Sequence, residues 1–177
     1  SGARGKGVAV DQHSKSKGFN MTSWRLGWVC GNPLAVKAYA NVKDNADSGQ
    51  FRAIQKASMR ALENQADITP KICDKYQRRL KALTKMCQDL GFDARMPQGS
   101  FYLYVEIPKG TESGAKFETG EDFGQWLITE KMISTVPWDD AGNYVRFSAT
   151  FVAPTLEDER RVLDEVRNRL HGEKFVF

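Results

Sequence analysis

The chain has 177 residues, room for one domain or slightly more, and its 41% apolar and 27% charged residues are ordinary globular usage. No run approaches 18 apolar residues and no charged start leads into an apolar stretch, so neither a transmembrane helix nor a signal peptide is expected. The net charge of +4 is unevenly spread: residues 1–90 hold 16 Lys and Arg against 7 acidic residues, and residues 91–177 hold 10 against 15.

Ser1 to Gly7 are rich in Gly and charge and have little local preference. Val8, Ala9 and Val10 read as a short buried strand, and polar residues follow from His13 to Lys17. A second apolar stretch, Trp24 to Cys30, reads as a strand closing at Gly31. Asn32-Pro33 is a helix start, with Asn as cap and Pro where no N–H is needed; that helix is expected to reach about Asp47. Phe51, Ile54, Ala57, Ala61 and Leu62 mark another helix.

Thr69-Pro70 repeats the start signal, and Ile72, Tyr76, Leu80, Leu83, Cys87 and Leu90 keep helical spacing up to Gly91. After a turn at Pro97-Gln98-Gly99, Phe101, Leu103, Val105 and Ile107 alternate with Tyr102, Tyr104 and Glu106, the pattern of a half-buried strand. Residues 109–120 read as a loop, Phe123 to Leu127 as a short helix, and Met132 to Val136 and Tyr144 to Thr150 as strands. Thr155 with Asp158 opens a last helix, which Gly172 ends.

From about residue 69 this order suits helices on a small sheet, while residues 1–31 look like the edge of another sheet. The chain opens on Ser and becomes informative almost at once, as a piece of something longer would. Three cysteines with no CxxC pair argue against a disulfide framework and for a reducing, cytosolic setting. The basic front half suits nucleic acid, an anionic cofactor or anionic substrates. The simpler account is a solvated helix face, since Lys71, Lys75, Arg78, Arg79, Lys81 and Lys85 sit at helical spacing. No nucleic-acid or membrane partner is expected.

The densest chemistry lies in residues 14–27. Hydroxyls (Ser14, Ser16), an amine (Lys17) and a guanidinium (Arg25) crowd a polar turn between two apolar stretches. Ser and Arg are the donors a phosphate monoester wants, and a lysine at the mouth of a sheet is open to desolvation, which frees a nucleophilic amine. That set suits pyridoxal phosphate, whose aldehyde condenses with lysine. A basic turn of no special role explains the same residues. Downstream, Arg146 stands on an apolar strand and needs an anionic partner; a structural salt bridge and a bound carboxylate both supply one.

The spacing Ser14, Ser16, Lys17, then Arg25 eight residues on, with Phe19-Asn20-Met21-Thr22 between, resembles the lysine motif of fold-type-I aminotransferases. Lys15 and Ser23 depart from it, standing where an apolar residue and a Gly are usual. Asn143 to Ser148 resembles the family's C-terminal arginine segment, and Pro97 to Tyr102 its turn into the small domain. Asp47 to Phe51 resembles a stretch that approaches the partner subunit's site. Ile133 to Gly142 points to LL-diaminopimelate aminotransferase-like sequences, with Asp139-Asp140 either facing a second amino group of the substrate or forming a solvated turn.

The resemblance implies an α/β fold, α+β within this chain. Residues 1–31 would end a large pyridoxal-phosphate domain, 32–68 would connect, and 69–177 would form the small domain. It implies that Lys17 is the cofactor's lysine and general base, that Ser14 and Arg25 bind the phosphate, and that Arg146 binds the substrate carboxylate. Amino-acid and keto-acid substrates, a homodimeric parent and no metal follow. The isolated chain is expected to be inactive and prone to association through Val8 and Trp24 to Cys30. Other reactions of the fold type, lyase or decarboxylase, remain open, as does a basic α+β binding module without catalysis.

Overall fold

The computed structural model describes residues 7–177, so the reading of the first six residues lies outside it. The described residues form two compact units, one ending at Cys73 and one spanning Asp74–Phe177.

The first unit opens with an antiparallel hairpin of β1 (Val10–Ser14) and β2 (Gly27–Gly31), in register from Val10 opposite Gly31 to Ser14 opposite Gly27. The expected buried strand at Val8 to Val10 is thus corrected: the ladder starts at Val10, takes in His13 and Ser14, and every residue of β1 is exposed. Likewise Trp24 is no strand residue but ends a 3-10 turn, Thr22–Trp24, which leads into Arg25 in the left-handed region at φ 49°.

Helix α1 (Pro33–Ala46) begins as expected, with the Asn32 side chain accepting from the N–H groups of Leu34 and Ala35 at 2.9 and 3.2 Å. Helix α2 covers Arg52–Glu63. Helix α3 (Gln65–Asp89) differs from expectation by starting before Thr69, with Pro70 inside it. The Asn64 carbonyl accepts from both Asp67 and Ile68, so the first turn is already nucleated when Pro70 arrives.

The second unit is built on a three-stranded antiparallel sheet ordered β3 (Tyr102–Glu106), β6 (Tyr144–Ser148), β5 (Val136–Pro137). A two-residue β4 (Gly110–Thr111), expected as loop, pairs with β7 (Phe175–Val176) near the C-terminus. Helix α4 (Gly120–Lys131) is longer than expected and runs up to Met132, which is its left-handed cap and not a strand residue. Helix α5 covers Leu156–Leu170. Capping boxes of Thr119 with Asp122 and Thr155 with Asp158 open α4 and α5.

The core joins Leu80, Leu83 and Met86 of α3, Leu103 and Val105 of β3, Phe123 and Leu127 of α4, Val145 and Phe147 of β6, and Leu163 and Leu170 of α5. Arg79, which reads as part of a solvated basic face, is instead 1% exposed. It donates to Glu159 at 2.8 Å and to the carbonyls of Ala149, Phe151 and Ala153 at 3.0, 2.7 and 3.0 Å. Arg78 binds the same carboxylate twice at 2.9 Å, and these charge-assisted bonds, led by Arg78, hold the Glu159 carboxyl below its usual range.

Candidate active-site elements

The link between β1 and β2 folds on itself through backbone bonds. Lys15 donates to the Leu26 carbonyl at 3.1 Å, Met21 donates to the Lys15 carbonyl at 3.3 Å, and Asn20 donates to the Lys17 carbonyl at 3.3 Å. The Thr22 hydroxyl donates to the Ser16 carbonyl at 3.1 Å. Closure of this loop brings the sequence motif to one end of the hairpin. Ser14 lies opposite Gly27, Lys17 sits in the turn, and Arg25 stands two residues before Gly27.

Two of the motif side chains make bonds that leave donors over. The Ser14 oxygen accepts from the Ser16 N–H at 3.1 Å, which leaves its O–H to donate. Arg25 is exposed and donates from Nη1 to the Thr22 carbonyl at 3.1 Å, one of the five N–H donors of its planar fork. Arg25 lines a cavity of about 410 Å³ with His13, Tyr39, Gln50 and Lys43, the last paired with Asp47. Lys17 is exposed. A hydroxyl, a guanidinium with unused donors and an accessible amine on one loop fit a phosphorylated aldehyde such as pyridoxal phosphate.

The loop also corrects which amine is desolvated. Residue 15 points inward where 17 points outward. Lys15 is fully buried, its Nζ has no hydrogen-bond partner, and it lies 3.9 Å from the Phe19 ring centroid and 4.5 Å from that of Trp28. Burial holds its pKa below the usual lysine range. The sign of this in the sequence is the lysine standing at an apolar position of the motif.

Arg146 belongs to the second unit, on β6 opposite Tyr104 of β3 and Val136 of β5. Its guanidinium lies 4.1 Å from the ring centroid of Tyr102 and 5.0 Å from that of Trp138, and its Nε is buried without a partner. Among the described residues no carboxylate pairs with it, so the structural salt bridge that sequence alone allowed is not formed. Tyr102 and Trp138 are the residues sequence reading missed. Alternation puts Tyr102 on the same face as Tyr104 and Arg146, but only the register shows which ring the guanidinium meets.

Two further motifs have local roles. Asp139 accepts from the Gly120 and Glu121 N–H groups at 2.5 and 3.2 Å, so it binds the start of α4. Asp47 accepts from Lys43 and from the Gly49 N–H, bonds that pull its carboxyl below the usual range and shape the turn into α2.

The family model for aminotransferase class I and II matches residues 9–162. LL-diaminopimelate aminotransferases of Methanococcus maripaludis and Methanocaldococcus jannaschii are each 52% identical over 97% of the chain, which spans 42% and 43% of their lengths. Substrate-bound BacF from Bacillus subtilis superposes with a TM-score of 0.78 at 26% identity, over 97% of this chain and 42% of that one. The aspartate aminotransferase of Rhizobium meliloti gives 0.76 at 27% identity, over 95% and 43%. Among the described residues no helix is long and apolar enough to cross a membrane.

Proposed function

The chain belongs to the class I and II aminotransferases, and on that premise we propose that it is the C-terminal part of a pyridoxal-phosphate enzyme that exchanges an amino group between an amino acid and a keto acid. Residues 1–31 end the large domain, 32–68 connect, and 69–177 make the small domain. The amino donor is LL-2,6-diaminopimelate and the acceptor 2-oxoglutarate, in keeping with relatives 52% identical to the chain. The complete enzyme works in the cytoplasm as a homodimer.

The observation that carries this reading is the gathering of Ser14, Lys17 and Arg25 at one end of the hairpin. Arg25 and Ser14 grip the phosphate by a forked cation and a hydroxyl. Lys17 holds the cofactor through its amine. Pyridoxal phosphate supplies, when bound, an electron sink for the charge left as the α-proton departs. Lys17 takes that proton from the substrate α-carbon as general base and delivers it as general acid. Arg146, aimed by the rings of Tyr102 and Trp138, binds the α-carboxylate through two N–H groups and fixes the orientation of the Cα–H bond.

The test is product analysis on the protein expressed from its complete coding region. With LL-2,6-diaminopimelate and 2-oxoglutarate, one glutamate forms per donor consumed. Lys17→Ala lowers turnover by about 10²–10⁴-fold. Carbon dioxide in place of glutamate would assign a decarboxylase, and glutamate formation untouched by Lys17→Ala would remove Lys17 from the site.

A further inference from the structure

An atom buried within the second unit stays buried when the rest of an enzyme is added. The Nε of Arg146 is such an atom, and it has no hydrogen-bond partner among the described residues. A carboxylate gripped side-on would need that Nε, so the terminal nitrogens Nη1 and Nη2 take it end-on. The guanidinium carbon lies over the rings of Tyr102 and Trp138, 4.1 and 5.0 Å from their centroids, and these contacts set the direction in which the terminal nitrogens donate.

Trp138 is itself held at several points. Its backbone N–H donates to the Tyr144 carbonyl at 2.8 Å, which continues the pairing of Val136 with Arg146 and of Pro137 with Val145. Its ring meets that of Tyr104 edge-on, with 5.7 Å between centroids and 78° between planes. The next residue, Asp139, accepts from the first two N–H groups of α4, those of Gly120 and Glu121. Farther along the same loop, the Asn143 side chain donates to the Glu118 carbonyl at 2.9 Å. The loop runs so close to α4 that a Cβ on Gly120 would strike the Tyr144 carbonyl oxygen and lie 2.8 Å from Oδ1 of Asp139.

We propose that Trp138 is a positioning residue that sets the aim of Arg146, and that Asp139 holds Trp138 in place by tying its loop to the start of α4. The inference rests on the reading of Arg146 as partner of the substrate α-carboxylate. Amino acid and keto acid bring their carboxylates to the same guanidinium, so loss of its aim weakens both alike. Asp139 acts through the loop and the indole, and its own carboxylate is spent on α4.

The test is steady-state kinetics on the protein expressed from its complete coding region, with LL-2,6-diaminopimelate and 2-oxoglutarate. Trp138→Leu raises KM for donor and acceptor alike by roughly tenfold and lowers kcat by a smaller factor. Trp138→Phe, which keeps a ring over the guanidinium, recovers most of the loss. Asp139→Ala and Gly120→Ala raise both KM values by roughly threefold. A merely structural role would reduce the folded fraction, and with it kcat, and leave KM where it was. Arg146→Ala separates the inference from the reading beneath it, since it raises both KM values by roughly 10²-fold whatever the role of Trp138. If it does so while Trp138→Leu leaves both values unchanged or shifts only one, the positioning role is overturned and the carboxylate reading stands. Trp138→Phe as impaired as Trp138→Leu would overturn the role of the ring. KM values untouched by Arg146→Ala would mean that Arg146 does not bind the substrate carboxylate, and would overturn both.

Discussion

The two units treat their apolar residues in opposite ways. In the second, Phe123, Leu127 and Val145 are 0% exposed, and a three-stranded sheet with helices from both ends of the unit closes over them. In the first, Leu34 is 82%, Phe51 73% and Val42 71% exposed, and the largest fully buried side chain is a lysine. The chain spans about two fifths of the length of the curated relatives it matches. The contrast separates two settings for the residues proposed to form the site. Arg146 stands on the outer face of a finished sheet, whereas Ser14, Lys17 and Arg25 depend on a loop closed by its own backbone bonds.

The sharpest way to break this comparison is to remove the polar clamp of the second unit. Arg79→Met leaves three carbonyls without their donor and Glu159 with one cation in place of two. The expected cost is about 3–5 kcal/mol, read as faster amide exchange across β3 and β6. A loss below about 1 kcal/mol would mean that the core holds without the clamp.

Phe123→Ala and Phe51→Ala delete the same side chain in the two settings. Phe123 packs against the rings of Phe92, Phe117, Trp126 and Phe175, and its loss costs about 3–5 kcal/mol in denaturant unfolding. Phe51, 73% exposed, is worth less than about 0.5 kcal/mol in this chain. Equal effects would erase the distinction between the units.

Lys15→Met sharpens the comparison from the other side. It removes a buried, unpartnered amine and stabilises the first unit by about 1–3 kcal/mol. Burial holds Lys15 below its usual range, so the unfolded chain binds that proton more tightly than the folded one. Stability of the first unit therefore rises as pH climbs through the folded-state value towards the unfolded value of about 10.4. Unfolding measured across that range shows the rise in the parent chain, and the part due to Lys15 vanishes in Lys15→Met. An identical pH dependence in both would place the Lys15 amine in solvent.

Local signals carried the sequence reading where structure is local. The alternation of Leu103 and Val105 with Tyr104 and Glu106 gave β3, and Thr155 with Asp158 gave the start of α5. Non-local partners defeated it elsewhere. Arg79 looks like its basic neighbours until Glu159, eighty residues on, turns it inward. β4 has only two residues, and nothing in Gly110–Thr111 announces Phe175–Val176 as its mate. The motif at Lys17 was legible from spacing to Arg25, but the inward turn of Lys15 depends on how the loop closes against Leu26.

Two lysines two residues apart, one outward and one buried, make the central claim open to a single measurement. The complete enzyme, loaded with pyridoxal phosphate, is reduced with borohydride, digested, and the labelled peptide sequenced. The account predicts the pyridoxyl group on Lys17 with Lys15 unmodified. A label on Lys15, on any other lysine, or on none would contradict it.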